Sequence, residues 1–94
     1  MRSYYAVLPS NTRSAWSDLS RSFREQIGGY DHYRGFWSTI SHVTVGDTEP
    51  SGDSAVDVAL TYTTNDGRVD REVRRIFLER EGTGYLITDD AVVG

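Results

Sequence analysis

Hydrophobic and polar positions along this chain follow two periods, and the change falls between Trp37 and Ile40. Before it, the spacing is helical. Ser3 to Leu8 reads as the last turns of a helix halted by Pro9, because the residue before a proline is pushed out of the α region. Ser10 or Asn11 offers an N-cap oxygen for a second helix carrying Ala15, Trp16 and Leu19, the last two sharing a face. Ser20 caps a third helix holding Phe23 and Ile27, and Gly28-Gly29 ends it, since glycine accepts the left-handed conformation found just past helix termini. Tyr30, Tyr33 and Trp37 then recur at helical spacing, with Phe36 beside them, which predicts a fourth helix with one aromatic face. Asp31 suits the positive end of its dipole. Gly35 is unfavourable inside a helix and predicts a bend or a close approach of the backbone to the sheet.

From Ile40 the period becomes two. Val43 and Val45 face one way, His42 and Thr44 the other. Asp47 to Asp53, with Pro50 and Gly52, reads as a loop. Ser54 to Thr64 alternates, with Val56, Val58, Leu60 and Tyr62 on one face and Asp57, Ala59, Thr61 and Thr63 on the other. Asn65-Asp66-Gly67 is a hairpin turn. Val69 to Arg80 makes a third strand with Ile76 and Leu78 on one side and Val73 and Phe77 on the other. Glu81 to Gly84 turns again, and a fourth strand runs from Tyr85 to near Val93. The fold class is α+β: short N-terminal helices packed on a curved four-stranded antiparallel sheet.

Composition narrows the chemistry. The 94 residues make a single domain, 1–94, with a thin core built largely from its 12% aromatic residues. There is no Cys, hence no disulfide, zinc-thiolate site or thiol nucleophile. All ten basic residues are Arg, which excludes a Schiff-base or phosphate-loop lysine. A net charge of -4 with mixed signs gives no basic face for nucleic acid. No apolar run spans a bilayer, so no membrane contact is expected within these residues, and no secretory leader is expected at the start. Two His ten residues apart make a poor metal site, and neither a metal nor another cofactor is expected.

Three phrases carry a resemblance: Tyr4-Tyr5-Ala6-Val7-Leu8-Pro9, Ala15-Trp16-Ser17-Asp18-Leu19-Ser20, and Gly29-Tyr30-Asp31-His32-Tyr33-Arg34-Gly35-Phe36-Trp37-Ser38. Together they resemble the small domain at the C-terminal end of many actinobacterial serine/threonine protein kinases and related membrane-tethered proteins. The later strands, with Arg74-Arg75-Ile76-Phe77-Leu78 and Gly84-Tyr85-Leu86-Ile87-Thr88-Asp89, are similar to the last hairpin of nuclear-transport-factor-2-like (cystatin-like) cones. The resemblance implies a non-catalytic sensor or association domain, extracytoplasmic, excised from a longer chain and tethered by a transmembrane helix outside these residues. Kinase motifs are absent from them. The first helix begins only at about Arg2, which implies a cone that is shallow or open at one end.

Candidate sites follow from both readings. Tyr4, Tyr5, Trp16, Tyr30, Tyr33, Phe36, Trp37, Tyr62 and Tyr85 either fill the core or line a ligand pocket, with Tyr33, Trp37 and Tyr62 the expected wall for a small-molecule or cell-envelope ligand. The alternative is a small-molecule-binding or isomerase-like enzyme, with Asp31, His32, His42, Asp57 and Tyr62 as the ingredients of a general base in the cone. The Arg-rich third strand (Arg68, Arg71, Arg74, Arg75, Arg80) reads as a solvated face of cross-strand ion pairs. Val73 and Phe77, if turned away from the helices, predict a homodimer through the sheet.

Overall fold

Each helix starts and stops where its capping residues dictate. The structure, a computed structural model, describes residues 2–94. Helix α1 (Arg2–Ala6) ends ahead of Pro9. Helix α2 (Thr12–Trp16) is capped by Asn11, whose side chain accepts from the Ser14 N–H at 3.1 Å. The Ser20 hydroxyl caps α3 (Arg21–Ile27) by accepting from the Phe23 N–H, and Gly28 closes it at a φ of 101°. Helix α4 (Tyr30–Trp37) buries Tyr33 and Trp37. No helix among the described residues is long and apolar enough to cross a membrane.

The strands β1 (Ile40–Pro50), β2 (Ala55–Thr64), β3 (Val69–Glu81) and β4 (Gly84–Val92) form an antiparallel sheet in the order β1-β2-β3-β4, not closed into a barrel. The α+β reading of short helices followed by a four-stranded meander is therefore the observed architecture. Gly67, at a φ of 90°, closes the β2–β3 hairpin, in which the Thr64 N–H donates to the Arg68 carbonyl. The Asn65 N–H and side-chain amide donate to the Thr39 and Ser38 carbonyls, tying this hairpin tip to the end of α4.

One face of the sheet carries the core. Val58, Leu60, Tyr62, Ile76 and Ile87 pack there against Tyr4, Tyr5, Leu19, Phe23, Tyr33 and Trp37 from the helical layer. Residues directly opposite one another on paired strands share a face. The pairings Val43 with Tyr62, Val45 with Leu60 and Val56 with Ile76 thus continue the apolar stripe across three strands.

Three expectations need correcting. Asp47 to Pro50 is strand, not loop: a bulge between Val45 and Thr48 restores pairing of Thr48, Glu49 and Pro50 with Val58, Asp57 and Val56. Pro50 is tolerated because β1 is an edge strand. Leu19 lies outside α2, and its segment instead joins β4. The Ser20 N–H donates to the Ile87 carbonyl and the Ile87 N–H to the Asp18 carbonyl, each at 2.8 Å, which ties the helical layer to the sheet edge. Gly35 does not approach the sheet, since a Cβ there would meet nothing within 4 Å, and α4 runs through it unbroken.

Candidate functional site

The aromatic spacing of α4 aims Tyr33 and Trp37 at the sheet, where Tyr62 rises from β2 to meet them. The Trp37 ring centroid lies 6.4 Å from Tyr33 and 6.0 Å from Tyr62. Tyr4 and Tyr5 from α1 stand edge to face at 4.8 Å. These five rings border a cavity of about 310 Å³, at the small end of the roughly 300–1,000 Å³ range of small-molecule sites. Ile27 and Phe36 add apolar surface and the exposed His32 stands at the rim, while Arg74 and Asp90 reach it from the sheet. Tyr33, Trp37 and Tyr62, the three residues expected to form a pocket wall, thus meet at one cavity.

Most polar groups at this cavity pair with one another. The Arg74 guanidinium donates through Nε to Glu72 and through Nη1 to Asp90 Oδ2 at 2.8 Å. The Tyr62 hydroxyl donates to Glu72 Oε2 at 3.4 Å. Tyr4 and Tyr33 share a buried hydroxyl–hydroxyl bond of 2.6 Å. Burial works against the Arg74 charge, but Glu72 and Asp90 more than offset it and hold its pKa above the usual arginine value. Burial raises all four cavity tyrosines. Tyr33 is pushed up to about 12, with the hydrogen bonds to Tyr4 and Trp37 limiting the rise. Tyr4, Tyr5 and Tyr62 rise further, and the neighbouring Glu72 and Asp90 charges add to the effect at Tyr5 and Tyr62. All four are therefore neutral hydroxyls at physiological pH.

The expectation of a wholly solvated Arg strand fails at Arg74. It shares a face with Ile76 and Val58 and so points toward the helical layer, three-quarters buried. Arg75, one residue on, takes the outer face and grips Asp57 with two hydrogen bonds of 2.8 and 3.1 Å, which hold the Asp57 carboxyl below the usual range. Asp57 therefore lies away from the cavity and is not available there as a base. Asp31 is exposed and sits 3.9 Å from Arg34. His42 is exposed on β1. Of the residues proposed for a general base, only His32 and Tyr62 border the cavity.

Val73 and Phe77 are half-buried and share the sheet face opposite the core; Val69, four residues before Val73, and Val93, whose N–H donates to the Val73 carbonyl, are about half exposed. Toward the opposite end of the core-bearing face lies a wider open cleft of about 700 Å³, lined by Val56, Leu78, Tyr85 and Ile87. It is larger but has only two tyrosines and no paired guanidinium, so the smaller cavity is the better candidate for selective binding. Among the described residues no group of three or more His, Asp or Glu converges as a metal site. No protein-family model matches the chain, and no curated protein is significantly similar to it.

Proposed function

We propose that this domain is a non-catalytic ligand-sensing and association module, the extracytoplasmic part of a receptor-like serine/threonine protein kinase or a related membrane-anchored protein. The observation that carries the sensing half is the aromatic cavity whose charged groups are already satisfied by one another. Such a site offers shape, ring faces and hydroxyls for recognition. Its carboxylates and hydroxyls supply no base, because Glu72 and Asp90 are committed to Arg74 and the tyrosines keep their protons, which leaves only His32 at the rim for that role. The kinase connection rests on the resemblance of the three N-terminal phrases. The association half rests on the outward-facing Val73 and Phe77, which suit a second copy of the chain packed sheet to sheet.

Placement is tested by putting Asp53→Cys, in the exposed turn before β2, into the full-length parent and treating intact cells with a membrane-impermeant maleimide. Labelling of intact cells is expected, and labelling only after lysis would refute an extracytoplasmic position. Sedimentation of the isolated chain is expected to show a species of twice 10.6 kDa that Phe77→Asp dissociates. A monomer at all concentrations would remove the association half. An isomerase-like reading has one observation in its favour, His32 at the cavity rim. It requires that His32→Ala abolish turnover while leaving ligand affinity unchanged.

A further inference from the structure

The charge balance at the aromatic cavity selects among ligand classes. Two carboxylates, Glu72 and Asp90, share the single guanidinium of Arg74, which leaves one formal negative charge beside the rings. These three side chains are 20–30% exposed, so solvent screens them only in part. An incoming anion would meet two carboxylates against one guanidinium, whose Nε–H and one Nη1 N–H already serve those carboxylates, with Tyr62 donating to Glu72. A cation meets the opposite situation. The faces of Trp37 and Tyr62 carry the negative lobe of the aromatic quadrupole, and Phe36 stands nearly perpendicular to both, making a corner of ring surfaces.

We propose that this cavity binds an organic monocation, an amine or quaternary ammonium group seated on Trp37 and Tyr62, with Glu72 and Asp90 as its counter-charges. The proposal rests on reading the cavity as the ligand site, and it names the ligand class. Choline is the probe, with dimethylbutanol as its neutral carbon isostere and tert-butylacetate as an anion of the same shape. Each is titrated into the 94-residue chain while the Trp37 indole signal is followed by heteronuclear NMR. Choline is expected to shift that signal saturably and to bind at least about tenfold tighter than the alcohol, with tert-butylacetate weaker still. Asp90→Asn is expected to weaken choline about tenfold and leave the alcohol unchanged. If Asp90→Asn does not fold, Glu72→Gln carries the same expectation. Equal binding of choline and the alcohol, or tighter binding of the anion, overturns the cation assignment while the cavity reading stands. If none of the three moves the Trp37 signal at millimolar concentration, the cavity reading fails, and this proposal fails with it.

Discussion

Raising the pH above 10 asks the buried tyrosines to give up protons that the fold holds. Tyr4, Tyr5, Tyr33 and Tyr62 are each less than a tenth exposed, and burial lifts each folded pKa above the usual tyrosine value of about 10. The unfolded chain ionises first, so their contribution to stability is intact below pH 10 and is lost as pH rises through the window above it. One tyrosine protonated in the fold and ionised in the unfolded chain costs about 1.4 kcal/mol per pH unit. Four together cost about 5–6 kcal/mol by pH 11 and about 8 by pH 11.5. Tyr33, at about 12, stops contributing soonest. A chain of 94 residues has about 5–14 kcal/mol in hand, so base denaturation is expected near pH 11 to 12. Urea unfolding followed by circular dichroism gives the free energy at each pH, and tyrosinate absorbance reports ionisation. Tyr62→Phe should reduce the slope by about a quarter. A stability that stays flat to pH 11.5, or four tyrosines ionising below pH 11 with the fold intact, would refute the burial argument.

Other substitutions test the packing. Gly35→Ala is expected to stabilise the domain by up to about 1 kcal/mol, because the site is open and helical; a fall in Tm would contradict this. Leu60→Ala, at 2% exposure in the middle of β2, should lose about 2–5 kcal/mol by denaturant unfolding, and a loss under about 1 would show that the core collapses around the gap. Arg74→Met leaves Glu72 and Asp90 unpaired beside the cavity and should destabilise by about 1–3 kcal/mol, measured at neutral pH; a neutral effect would mean the ion pairs are fully screened.

The helical caps and the apolar strand face were readable because local chemistry sets them. Asn11, Ser20 and Gly28 act within one turn, and alternation in β2 survives intact from Val56 to Tyr62. The aromatic wall was readable for the same reason, since Tyr33 and Trp37 fall on one helical face. Arg74 was also legible in principle, since it has the parity of Ile76 and Leu78 along β3. Asp90 was not. From Ile87, a period of two puts Asp89 on the core-bearing face, but the bulge at Phe77/Leu78 shifts the register and sets Asp90 opposite Ile76. Nothing local announces a bulge, and the strand extension through Pro50 escaped for the same cause. The tie between Leu19 and Ile87 is long-range pairing that local spacing does not encode.

The cavity between α4 and the sheet is the proposed ligand site. The most direct measurement follows the two indole N–H signals, assigned with Trp16→Phe, while the chain is titrated with small-molecule fragments. Trp37 and the amides of Tyr62 and Asp90 are expected to shift saturably, ahead of the residues around Tyr85. Saturable shifts confined to Val56, Leu78 and Tyr85, with Trp37 still, would contradict it and move the site to the open cleft.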